Sequence, residues 1–267
     1  MKFKDRVVLI TGASSGIGEA ATIEFAKNGS NVILVGRRKE KLIEVEKKLS
    51  KYHVSTLVCP CDVSNKSQVK EMCKTVLEKF DRIDILVNNA GFAIYGKVLD
   101  IDIDQIESQM ATNYFGMIYC IKNFLPKMLE QNSGHIVNVA SVAASFGLPG
   151  IASYCASKFA MLGFSEGLQY ELKGTGVRVT VVSPIMVRTN FFDHPSFDSM
   201  PKYSATSISS KSVAKAILKA ANSSRLEIIV PSLVRGAIWA KQTFPYFINS
   251  IVSSSFKKQL ESKKQSK

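Results

Sequence analysis

Apolar residues in this chain come in short unbroken runs, separated by longer stretches in which they recur every three or four positions. Val7–Ile10, Asn31–Val35, Ser55–Cys59 and Asp84–Val87 are too short for helices and show no polar alternation. They read as strands covered on both faces. His135–Val139, Val177–Val182 and Glu227–Val230 extend the series. Between them the period changes to 3.6. A first helix runs to about Asn28 and stops at Gly29, and a charged one covers Lys39–Lys51. Ser67–Phe80 carries Val69, Met72, Cys73, Val76, Leu77 and Phe80 on one face. A long helix is predicted over Asp104–Gln131, with Pro126 marking a bend or its final turns, and two more near Ser153–Lys173 and Ser210–Asn222. Strands alternating with helices predict an α/β fold: a single Rossmann-like, doubly wound parallel β-sheet with helices on both faces. Ligands bind such sheets at the carboxyl ends of the strands.

Thr11-Gly12-Ala13-Ser14-Ser15-Gly16-Ile17-Gly18 joins the first strand to the first helix. Backbone N–H groups and the helix dipole can hold a pyrophosphate at such a turn, and glycine permits the tight bend and close approach. The spacing is Gly-x3-Gly-x-Gly, not the Gly-x-Gly-x2-Gly of many dinucleotide sites. The second strand then ends at Gly36-Arg37-Arg38, where a carboxylate would bind the ribose of NAD. Two guanidiniums suit a 2′-phosphate, so NADP(H) is the expected cofactor; an ordinary basic loop is the alternative.

Composition narrows the class. The 267 residues are 46% hydrophobic and 21% charged, enough for one large globular domain spanning 1–267. Met1–Arg6 leads directly into the first strand at Val7, so no signal peptide is expected. Five cysteines, Cys59, Cys61, Cys73, Cys120 and Cys155, form no CxxC pair, and His53, His135 and His194 are scattered. A cytoplasmic chain with reduced thiols and no metal is expected. The net charge of +13 is spread over helices and concentrated only in the tail, Lys257 to Lys267, with no nucleic-acid motif, so no nucleic-acid partner is expected.

The candidate chemistry centres on Tyr154 and Lys158. At i and i+4 they share a helix face, and an ammonium beside a phenol favours its ionised form. That would bring the tyrosine towards working pH as a general acid or base. Ser141 stands thirteen residues before Tyr154. Together with the glycine turn, these residues resemble the short-chain dehydrogenase/reductase (SDR) family from residue 5 to about 230. Further matches are Asp62-Val63 after the third strand, Asn88-Asn89-Ala90-Gly91 after the fourth, and Asn113 in Thr112-Asn113-Tyr114-Phe115-Gly116. Pro184, Val187 and Thr189 follow the sixth strand.

The resemblance implies roles. Tyr154 would protonate a carbonyl oxygen, Lys158 would lower its pKa and bind the nicotinamide ribose, and Ser141 would hydrogen-bond the substrate oxygen. Asn113 would hold a water linking Lys158 to solvent, or simply tie a helix to its neighbouring strand. Gly12, Ser14, Ser15, Gly16, Ile17, Gly18, Arg37, Arg38, Asp62, Val63, Asn89, Ala90, Gly91, Pro184, Val187 and Thr189 would contact the cofactor. A homodimer or homotetramer is implied. Two positions depart from the pattern. Pro184 is followed by Ile185 where Pro-Gly is usual, and Ser15 occupies a turn position often basic in NADP-preferring members. A non-catalytic, NADP-binding redox sensor is the alternative, although a sensor needs no proton donor.

Substrate choice is expected from a lid over about residues 185–208. Phe191, Phe192, His194, Pro195, Phe197, Met200, Pro201 and Tyr203 would cover an apolar carbonyl or alcohol substrate, or else pack on the core or a subunit partner. Val142, Ala143, Phe146 and Leu148 would add an apolar wall. Beyond the last strand, over about 231–267, Phe244, Phe247, Ile248, Ile251 and Val252 form an amphipathic stripe before the basic tail. Arg235, Lys241 and Pro245 break it, so it cannot span a bilayer. Peripheral membrane contact, dimer packing and coverage of the cleft all fit it.

Overall fold

The structure is a computed structural model and describes residues 3–198, 206–247 and 249–250. Seven strands form one parallel sheet: β1 (Val7–Thr11), β2 (Asn31–Gly36), β3 (Thr56–Pro60), β4 (Ile85–Asn88), β5 (Gly134–Val139), β6 (Val177–Pro184) and, further along the chain, Glu227–Val230. Two short strands, β7 (Val187–Arg188) and β8 (Ile208–Ser209), pair separately, so Glu227–Val230 is β9. The order is β3-β2-β1-β4-β5-β6-β9. The chain winds outward from β1 to β3 and then restarts at β4 on the other side of β1. Leu9 accordingly pairs with Ile33 on one flank and Leu86 on the other. That reversal opens a crevice at the carboxyl ends of β1 and β4.

Helices cover both faces. α1 (Gly16–Lys27), α2 (Lys39–Lys47) and α7 (Ser210–Ala220) pack with Val8, Ile10, Val32 and Leu34. α3 (Lys66–Phe80), α5 (Gly116–Glu130) and α6 (Ala152–Glu171) pack with Leu9, Ile33, Leu86 and Ile136. Successive strand side chains point to opposite faces, so continuous apolar runs are required for this sandwich. β4 is clasped to β1 at its start. The buried Asp84 carboxylate accepts from the Val7 N–H at 2.8 Å and from Arg6 and Arg82 at 2.9 and 2.6 Å.

Element boundaries differ from expectation in two places. The second helix ends at Lys47, and Ser50–Tyr52 form a separate 3₁₀ turn closed by His53 at φ +53°. The predicted Asp104–Gln131 helix is interrupted. It comprises α4 (Ile103–Met110), a π-helical turn at Ala111–Phe115 and then α5, with Pro126 in the last turns of α5. The apolar periodicity survives a single widened turn, which is why it reads as one helix. Such turns often mark functional sites. α8 (Val234–Thr243) follows β9. Among the described residues no helix is long and apolar enough to cross a membrane. All five cysteines are free and buried.

Candidate active site

One cleft of about 630 Å³ opens over the carboxyl ends of β1, β2, β4, β5 and β6. Its floor is the glycine turn. Ser14, Ser15, Gly16 and Ile17 line it where α1 begins, which points helical N–H groups and the positive dipole end at any anion there. Gly16 adopts φ +59°, and a side chain there would close the gap to Thr189 across the cleft. Gly18 does not reach the wall; it lies beneath the turn, where a Cβ would collide with the Gly12 carbonyl oxygen. The turn is anchored from β4. Asn89 Nδ2 donates to Thr11 O at 2.9 Å, while Thr11 Oγ1 accepts from the Asn89 and Ala90 N–H groups. Thr11 opens the turn motif read from the sequence, but nothing local marks it as the anchor to β4.

At one rim Arg38 donates to Ser14 Oγ at 3.2 Å and to Ser15 Oγ at 3.4 Å. Arg37 lines the same rim, and among the described residues neither arginine forms an ion pair. Asp62 and Val63 line the cleft next to them. One Asp62 oxygen already accepts from Ser64 N and Oγ, at 2.9 and 2.7 Å, so this carboxylate also shapes its own turn.

Ser141, Tyr154 and Lys158 meet on the opposite wall. Ser141 follows β5 and caps a 3₁₀ turn, accepting from Ala143 N at 3.1 Å. Tyr154 lies in the first turn of α6, its ring edge-to-face with Phe191 at 5.7 Å. Lys158 donates from Nζ to Val139 O at 3.0 Å, with Nζ 5.6 Å from the Tyr154 ring centre. The expected lowering of the tyrosine pKa is not realised in this arrangement. Burial pushes the phenol up, only partly opposed by a hydrogen bond with Ser141. Lys158 sits beneath the ring, and burial brings its own pKa down to about 7. Desolvation penalises whichever form is charged, and here it outweighs pairing.

Asn113 does not reach the cleft. It is buried in the π turn, where Oδ1 accepts from Phe92 N at 3.0 Å and Nδ2 donates to Phe92 O and Ser157 Oγ at 2.9 and 3.0 Å. It therefore ties the π turn to the segment after β4 and to α6. Gly91 passes between it and Lys158: a Cβ there would stand 3.0 Å from Asn113 Oδ1 and 3.6 Å from Lys158 Nζ. Pro184, Val187 and Thr189 line the cleft after β6, as do Ala90 and Gly91 after β4.

The remaining wall is apolar. Phe191, Phe192 and Phe197 cluster over Tyr154 with Leu148 and Ile151. Phe146 is not part of it and instead lies 5.3 Å from Lys241 Nζ. Met200, Pro201 and Tyr203 fall outside the described residues. Sequence reasoning missed Tyr95, which packs 5.8 Å from Phe197 and donates its N–H to Ser196 Oγ, and it missed Phe92. Both lie in an irregular stretch with no periodicity to mark them.

The sequence profile described as short chain dehydrogenase matches residues 6–199. The chain belongs to the short-chain dehydrogenase/reductase family. An uncharacterized oxidoreductase of Staphylococcus aureus (strain MW2) is 40% identical over 185 residues, 69% of this chain and 79% of that protein. An SDR structure from Burkholderia phymatum in complex with NAD superposes with a TM-score of 0.82 at 25% identity, covering 91% of this chain and 95% of that one. A short-chain dehydrogenase from Sphingobium yanoikuyae in complex with NADPH gives 0.80 at 28% identity, covering 92% and 95%. The protein is thus an SDR oxidoreductase of Rossmann type, and nicotinamide dinucleotides of both kinds occur among its structural neighbours.

Proposed function

We propose that this SDR protein is an NADPH-dependent reductase of apolar ketones or aldehydes, running reversibly as an alcohol dehydrogenase. The observation that carries the reading is the convergence of Ser141, Tyr154 and Lys158 in one cleft with the glycine turn and with two arginines that form no ion pair among the described residues. The cradle fits a dinucleotide: Gly16 leaves it open, Gly18 lets the turn pack tightly beneath it, α1 presents its N-terminus, and Arg37 and Arg38 suit a 2′-phosphate. Bound there, the nicotinamide supplies hydride to the carbonyl carbon.

The chain's own residues do the rest. Tyr154, held protonated by burial, gives its phenolic proton to the substrate oxygen as that oxygen gains charge. Ser141 Oγ donates a hydrogen bond to the same oxygen and stabilises it. Lys158, with a pKa of about 7, returns a proton to the phenolate and would hold the nicotinamide ribose. We assign Asn113 the role of keeping open the space beside Gly91, through which a water links Lys158 to solvent. Phe191, Phe192, Phe197 and Leu148 exclude water and favour an apolar substrate. A homodimer or homotetramer is the assembly we propose, since Phe115, Leu129 and Tyr170 remain partly exposed on one group of helices.

NADPH oxidation with a panel of apolar ketones and aldehydes tests the reading. Tyr154→Phe should lower turnover by about 10²- to 10⁴-fold and leave NADPH binding within a few-fold. Turnover independent of Tyr154 would refute it. NADPH binding without any turnover would favour the sensor.

A further inference from the structure

α8 and the residues after it are not used by the chemistry above. Its inner side is held in place: Ile238 is buried, and Lys241 donates from Nζ to Ser145 O and lies 5.3 and 5.7 Å from the rings of Phe146 and Phe159. Its other side is bare. Leu233 is 89% exposed, Trp239 61%, Phe244 57%, Tyr246 91% and Phe247 70%. Trp239 and Phe244 pack edge-to-face at 6.4 Å, so two of these rings form a shared apolar knob at the surface. Isolated exposed apolar residues need no explanation, but five in fifteen consecutive positions do.

Charge says what covers them. From Ile228 to Leu260 there is no acidic residue, and residues 231–267 carry Arg235, Lys241, Lys257, Lys258, Lys263, Lys264 and Lys267 against Glu261 alone. Indole and phenol rings beside lysine and arginine are the side chains that settle at the boundary between lipid headgroups and acyl chains. A second copy of this chain fits poorly. A two-fold contact would set the same basic segment against itself, in a protein already at +13.

We propose that Leu233–Phe247 is an interfacial docking surface for anionic lipid, with the aromatic rings entering the headgroup region and the basic C-terminus supplying attraction. The Lys241 contacts tie this surface to Ser145 and Phe146, which lead into Leu148 and Pro149 on the cleft wall. Lipid docking therefore brings a membrane next to the apolar side of the cleft. Each lysine or arginine near an anionic surface contributes about fivefold in partitioning, and the attraction decays within a Debye length.

Trp239 is the only tryptophan, so its emission reports directly on the surface. The full chain should be sedimented with phosphatidylcholine vesicles and with vesicles containing about one-third phosphatidylglycerol. Partitioning at least about tenfold stronger to the anionic vesicles is expected, with a blue shift of Trp239 emission and release at about 0.5 M salt. Phe244→Ser combined with Phe247→Ser should reduce partitioning at least about fivefold, with NADPH binding and circular dichroism unchanged. Absence of binding, or equal binding to neutral vesicles, would overturn the proposal. So would conversion of an oligomer to monomers by the double substitution without lipid, since a second copy would then cover the surface. None of these readings requires turnover, so they stand apart from the fate of the reductase assignment.

Discussion

Removing the two guanidiniums at the cleft rim, Arg37→Ala with Arg38→Ala, should separate the two nicotinamide dinucleotides. Arg38 donates to the neutral hydroxyls of Ser14 and Ser15, and both arginines are exposed and lack ion-pair partners among the described residues. Their charge is therefore free to meet a phosphate. A hydrogen bond to a charged partner contributes about 1.5–3 kcal/mol, and solvent exposure places these at or below the lower end. Two together then amount to about 2–3 kcal/mol, or about 30- to 150-fold in Kd. Calorimetric or fluorescence titration of the purified protein should show that loss for NADPH and less than about a threefold change for NADH. Salt should weaken NADPH binding to the wild type more than to the double variant. Arg38→Lys should recover only part of the affinity, because an ammonium lacks the planar fork. Equal losses for the two dinucleotides would refute the reasoning, and so would an unchanged NADPH Kd.

His135 is buried on β5, hydrogen-bonded to Thr180 Oγ1 of β6 at 2.9 Å, and burial lowers its pKa to about 4. The unfolded chain binds this proton at about pH 6.5, so stability falls as pH drops from about 6.5 to about 4, by up to about 3 kcal/mol. Denaturant melts over that window should show the loss, and a flat profile would refute it. Burial raises the Asp84 carboxyl, but hydrogen bonds from Arg82, Val7 N and Arg6 outweigh it and hold the pKa below the usual carboxylate range. Asp84→Asn should then cost about 1–3 kcal/mol at neutral pH, measured by urea melts, with the deficit shrinking as acid protonates the wild-type carboxylate through its depressed folded pKa. Gly18→Ala forces a methyl against the Gly12 carbonyl, which should cost about 1–3 kcal/mol of stability and weaken dinucleotide binding at least about tenfold. A variant with wild-type melting and binding would show that the turn can open.

Much of this protein was determined by local sequence alone. Continuous apolar strands alternating with amphipathic helices specify a parallel sheet, because only a sheet covered on both faces buries every residue of such strands. The glycine turn and the Tyr154–Lys158 pairing were legible because backbone permissiveness and side-chain periodicity act over a few residues, whereas Ser141 was marked only by the family resemblance. Tertiary structure decided what depends on distant neighbours. It brought Ser141 from the turn after β5, Tyr154 from α6 and Arg38 from the turn after β2 to one crevice at the β1–β4 reversal. It set Asn113 behind Gly91 and broke the long helix at the π turn, where contacts with Phe92 and Ser157 compensate for the widened backbone. It turned Phe146 away from the cleft to Lys241. It also reversed the simplest electrostatic expectation. Two residues one helical turn apart favour an ion pair in water, but burial raises the cost of both charges, which keeps Tyr154 protonated and brings the Lys158 pKa down to about 7. Burial is a sum over the whole fold, and no local spacing contains it.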